Sequence, residues 1–176
     1  RYALYANTTA DANTAVGYNA LAANTTGTQN VAVGAYALDA NTTADNNIAI
    51  GHNTLGGTTT GSANVSVGSQ ALRANTTGAV NTAVGNEALL SNTTGTNNVA
   101  VGGYALDANT TASNNTAIGF QALTTTVTSA DCTALGANAL KTNNSDGSTA
   151  IGAFAAENAT GTYRSTFCGA YAGRNV

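Results

Sequence analysis

The chain has 176 residues, a formal net charge of -3 and only 7% charged residues, with no Pro, Trp or Met. A single Lys, Lys141, leaves no basic stripe to neutralise phosphates, which argues against a nucleic-acid partner. No run of about 18 apolar residues is present to span a membrane.

The opening Arg1-Tyr2-Ala3-Leu4 matches the residues after each later Gly, so the sequence starts in mid-repeat and reads as a piece of a longer array or a mature product. The repeat is clearest at Asn30-Val31-Ala32-Val33-Gly34 and returns as Asn13-Thr14-Ala15-Val16-Gly17 and Asn47-Ile48-Ala49-Ile50-Gly51. Its glycines fall every 17 residues from Gly17 to Gly136, then at Gly152 and Gly169. A strict period of this size predicts units that bury their apolar sides against one another rather than in one globular core.

Each unit divides into columns. Val or Ile precedes nearly every Gly, and Thr, Val or Ile stands two residues earlier. β-branched residues at period two predict a short strand, with the Val/Ile column pointing into the coil. Four residues after the Gly comes a Leu, from Leu21 to Leu140, which predicts a second core ladder and a flattened coil with two walls. The Asn ladder from Asn13 to Asn115 is expected at a corner, where an amide can bond backbone and neighbouring Asn alike. Asn-Thr-Thr-Gly, as at Asn24-Thr25-Thr26-Gly27, tolerates positive φ and predicts the return turn. The expected fold is all-β, a parallel β-solenoid or β-roll of about ten 17-residue rungs, regular over 1–152, with an atypical rung, cap or junction at 153–176. Ten rungs at ~4.8 Å give a rod core of about 48 Å.

A longer repeat lies within the short one. Residues 30–51 match 98–119 at 19 of 22 positions, a spacing of 68 residues, and the deviations recur with it, as in Thr58 and Thr126. Duplication of a four-rung block is the simplest cause.

The Ala column between the two β-branched columns is Ala15, Ala32, Ala49, Ser66, Ala83, Ala100, Ala117, Ala134 and Ala150. Strand alternation turns it away from inward-facing Val and Ile, so it is expected to be the strip on which a second chain packs. A coil thin enough to bury both strand faces is the alternative. Asn-x-Thr sequons at Asn24, Asn41, Asn75, Asn92 and Asn109 are acceptors for glycosylation, although turn chemistry explains the same residues without sugar. Cys132 and Cys168 fall two rungs apart, farther than a disulfide spans. His52, the one histidine, occupies a variable column with no partners for catalysis, and the scattered carboxylates predict no metal or cofactor site.

The stretches Asn13-Thr14-Ala15-Val16-Gly17-Tyr18-Asn19-Ala20 and Asn47-Ile48-Ala49-Ile50-Gly51 resemble head-domain repeats of trimeric autotransporter adhesins. The Asn-Thr-Thr-Gly version resembles bacteriophage tail fibres and related surface proteins. The resemblance implies a left-handed β-roll, three chains side by side, outside a cell or on a virion. The unit is longer than the usual adhesin head repeat, and the shared motif carries no binding residues.

The expected function is therefore non-catalytic: an extracellular structural and adhesive fibre module, a homo-oligomer with a host surface, matrix or glycan as its ligand. One rival is a self-assembling filament subunit. The other is an ice-binding solenoid using the Thr25, Thr42, Thr59, Thr76, Thr93 and Thr110 column.

Overall fold

A computed structural model describes residues 1–176. Ten three-residue strands, from β1 (Thr14–Val16) to β10 (Thr166–Cys168), form one parallel sheet in sequential order, with no helix. Each strand pairs with the next in the register of the period, Ala15 with Ala32 and Ala32 with Ala49, and the 16-residue step is absorbed where Thr133 pairs with Thr149. The expected parallel β-solenoid is the observed architecture, and its rungs run without a break through 153–176 to β10.

The orientation of the strands is the reverse of the expectation. Ala32, Ala49, Ala83, Ala100, Ala117, Ala134 and Ala150 are fully buried inside the coil, while Val16 is 59% exposed, Ile50 41% and Leu135 45%. The reason is the width of the lumen. Across from the sheet the Leu ladder is fully buried, flanked by the buried Ala column one residue before it, and with Leu reaching in from one wall only Ala fits on the other. Two inward β-branched columns would overfill the same space. Ser66 and Thr54 are the departures from Ala in the two columns that face each other here. Their hydroxyls meet at 2.6 Å and both lie 3.0 Å from the Ala71 carbonyl, so one donates to its neighbour, the other to the carbonyl, and the buried pair is satisfied.

The second wall is laddered but is not a strand. Leu21, Leu38 and Leu72 sit at φ of 54°, 53° and 50°, and the residue two positions before each is also left-handed. Alternating handedness sends successive N–H groups to opposite neighbours: Tyr36 N–H bonds the Tyr18 carbonyl of the rung before at 2.8 Å, and Leu38 N–H the Thr54 carbonyl of the rung after at 3.0 Å. A left-handed non-Gly residue costs ~1–2 kcal/mol, and two per rung are comparable with the ~1.5–3 kcal/mol gained by a fully buried Leu, so the Leu ladder and the rung-to-rung hydrogen bonds together hold this conformation.

Two buried Asn ladders close the corners. In the one preceding the strand, each Oδ1 accepts from the next backbone N–H, as Asn64 Oδ1 does from Asn81 at 2.9 Å, and each Nδ2 reaches a turn carbonyl, as Asn64 does Gly78 at 3.0 Å. In the second, Asn75 Nδ2 bonds the same Gly78 carbonyl at 2.9 Å and Asn92 Nδ2 bonds Asn75 Oδ1 at 2.9 Å. The expected corner role of the Asn13 to Asn115 column is seen in these bonds. Thr58 and Thr126 interrupt the second ladder, and the Oδ1 atoms of Asn41 and Asn109, one rung before each, are buried without a donor. The 68-residue period thus recurs in the hydrogen bonding of this ladder. Asn64→Ala leaves the buried Asn81 N–H without its acceptor and is expected to cost about 2–4 kcal/mol. Asn86→Ala, in an exposed column that holds Ala35 and Ala137 in other rungs, is expected to stay within ~0.5 kcal/mol in the same denaturant titration.

At the C-terminal end Phe167 replaces the inward Ala and Gly173 replaces the Leu opposite. A Cβ on Gly173 would lie 2.1 Å from the Phe167 ring, so the ring fills the space that Leu fills in other rungs.

Candidate functional site

Because each strand turns one residue in and two out, the sheet presents two outward columns over its whole length. One is Thr14, Val31, Ile48, Val65, Thr82, Val99, Thr116, Thr133, Thr149 and Thr166; the other runs from Val16 to Cys168. Every position is Thr, Val, Ile, Leu or Cys, and none carries a charge. The side chains are half-buried or exposed along the whole rod, with Ile48 and Ile118 each 38% exposed. The face is about 48 Å long at strand spacing.

Beside this face, in the two columns after the Gly, aromatic rings form runs along the rod. Tyr2, Tyr18, Tyr36 and His52 meet edge to face, with centroids 6.2, 5.3 and 6.3 Å apart, and Tyr5 joins Tyr2 at 5.6 Å. Tyr104 and Phe120 form a shorter pair at 6.0 Å. Phe154 and Tyr171 stack in parallel at 5.2 Å, and Arg174 lies over both rings and binds Glu157 at 2.7 Å.

The residues singled out from sequence are placed elsewhere than expected. The column Ala15, Ala32, Ala49, Ser66, Ala83, Ala100, Ala117, Ala134 and Ala150 lines the lumen, so no second chain can pack on it; the outward face is its β-branched flanks. Asn24, Asn41, Asn75, Asn92 and Asn109 are fully buried, and each donates Nδ2 to a turn carbonyl three residues on, leaving no room for a glycan on the folded rung. The turn geometry that makes them good ladder residues is what removes them from the surface. In the Thr25 column each hydroxyl donates to the next rung's carbonyl, as Thr25 does to Thr42 at 3.0 Å and Thr93 to Thr110 at 3.0 Å. Those hydroxyls hold rungs together, most of them through exposed bonds.

The titratable groups do not converge. His52 is exposed at the end of the tyrosine run. Asp39 and Asp107 have carboxyls raised above the usual range by burial, partly offset by backbone N–H groups, and they stand four rungs apart. Cys132 is buried, its thiol pushed up by burial and held near Asn143 at 3.3 Å; Cys168 is exposed, and both are free. No three His, Cys, Asp or Glu side chains lie close enough to share a metal ion.

One signal in the sequence could have identified the outward face. The column just before the Ala exchanges Thr for Val freely, as Thr82 and Val99 do in adjacent rungs, which a dry lumen does not tolerate without a partner for each hydroxyl. The Ala column of the regular rungs varies only at Ser66, and only with Thr54 opposite. Comparison of the chain with family models, curated proteins and solved structures finds no match.

Proposed function

We propose that the chain is a non-catalytic structural module of an extracellular or virion fibre, in which three copies stand side by side and present their remaining surface for attachment. The observation that carries this reading is the uncharged Thr/Val/Ile face. It is continuous from β1 to β10 and holds no charged residue at any rung. Exposed, it would be a liability for aggregation; packed against the same face of other copies, it becomes the shared core of a thicker, stiffer shaft. A strictly periodic strip favours a homo-oligomer with parallel rods, because equal spacing keeps every rung in register with its counterpart. The adhesive half of the reading rests on multivalency, since regular columns let weak contacts add along the rod.

Light scattering on the purified chain tests the assembly. The expected mass is three times the 17.2 kDa of one chain. Val84→Lys with Val101→Lys places two charges in the middle of the face and is expected to give single chains with an unchanged β-sheet spectrum. Single chains in the unmodified protein would refute the oligomer.

A further inference from the structure

We infer that the run of rings Tyr2, Tyr5, Tyr18, Tyr36 and His52 is a binding ridge for an extended neutral polysaccharide. This rests on the adhesive part of the function proposed above and names its ligand class. From Tyr2 through His52 the rings succeed one another at one per rung, with centroids 5.3–6.3 Å apart. Tyr2, Tyr5, Tyr18 and Tyr36 are 44%, 75%, 45% and 38% exposed. Edge-to-face contact orders them beforehand, so little side-chain freedom remains to be lost on binding.

Three features select the ligand. The ridge is one ring wide, too narrow for the ~800 Å² per partner of a stable protein interface, but suited to a linear polymer that follows the rod. Arg1, in the same columns, lies over the Tyr2 ring at 5.0 Å, but from Tyr18 to Tyr36 the two columns hold only Tyr, Asn and Ala, so along these rungs nothing favours an anionic or cationic chain. Asn19 and Asn53 interrupt the rings with side-chain amides that make no hydrogen bond within the protein, which suits ligand hydroxyls. A β-1,4-linked glucan meets all three conditions: one sugar advances by about one rung, and because successive rings are turned 76°, 74° and 89° from one another, alternate rather than adjacent rings offer a face to the flat apolar C–H side of the chain, with the amides left for its equatorial hydroxyls. The aromatic cluster at the other end lacks this capacity, because Phe154 and Tyr171 cover each other and Arg174 covers both.

The chain has no Trp, so its intrinsic fluorescence reports tyrosine alone, and titration of the full chain with cellohexaose is the test. The expected result is a saturable change that dextran, built from the same sugar without an extended flat face, does not produce. Tyr18→Ser with Tyr36→Asn uses residues that other rungs hold at the same positions, Ser69 and Asn53, so the coil accommodates them. This variant is expected to lose affinity about tenfold or more, whereas Tyr18→Phe with Tyr36→Phe keeps it, since the ring faces remain. The inference is overturned if the unmodified chain ignores cellohexaose, if dextran acts equally, or if the Ser/Asn variant binds as well as the parent. An assembly of the proposed mass that ignores cellohexaose removes this inference alone; a single chain that binds it removes the oligomer alone.

Discussion

Gly85→Ala is expected to break the rod at its middle. Gly85 has φ of 138°, a region that residues with a Cβ rarely adopt, and the added methyl carbon would lie 2.6 Å from both the carbonyl carbon and oxygen of Gly102 in the next rung. The obstruction is backbone against backbone, and Gly102 meets Gly119 in the same way, so the clash cannot be relieved by a rotamer change or by shifting one rung. Backbone strain of ~1–3 kcal/mol adds to overpacking of ~1–3 kcal/mol, placing the substitution among the most damaging that a single residue can cause. Because solenoid stability is nearly a sum of units and their interfaces, the loss should fall on the 85–102 junction and split one cooperative transition into two. Gly103→Ala is the control. A Cβ there meets only the Phe120 ring at 3.6 Å and the Asn86 carbonyl at 3.9 Å, and Ala already stands at this position as Ala35 and Ala137. Denaturant unfolding followed by circular dichroism should leave Gly103→Ala near the parent; equal behaviour of the two variants would show that close approach of the glycines does not set the rung spacing.

The period, the strand and the Leu ladder are legible in the sequence because each leaves a mark in composition: a Gly where backbones touch, β-branched residues where the chain is extended, Leu where the lumen is filled. The conformation of the second wall is not. Nothing in Leu38 or Tyr36 as residue types announces left-handed φ, since the geometry is imposed by rung-to-rung bonds that exist only once the coil has formed. The direction of the strand is hidden for a related reason. Ranking residues by hydrophobicity puts Val33 inside and Ala32 outside, but the lumen selects by size, and its width depends on how far Leu38 reaches from the other wall. The same ranking places the candidate interface on Ala83 and Ala100, when the exposed strip is formed by their neighbours. The buried Asn ladders look like glycan acceptors because a sequon and a turn share the same letters; only the bonds from Asn75 and Asn92 to turn carbonyls and to each other separate the two.

The inward turn of the Ala column is the claim on which the lumen, the outward face and the assembly all depend. Ala83 is fully buried and Val84, the next residue, faces out. Glu at position 83 would place a carboxylate among Ala and Leu side chains with no partner, which costs at least ~4 kcal/mol unless the site opens to water. Glu at position 84 would project from the sheet into solvent and leave the lumen untouched. Its effect should be confined to association between chains. The deciding measurement is the thermal midpoint of Ala83→Glu and Val84→Glu, followed by circular dichroism at a concentration low enough to keep chains apart. Ala83→Glu is predicted to lose its β-sheet signal or melt far below the parent, while Val84→Glu melts close to it. The opposite order, with Ala83→Glu tolerated and Val84→Glu unfolded, would contradict the orientation of every strand in the rod.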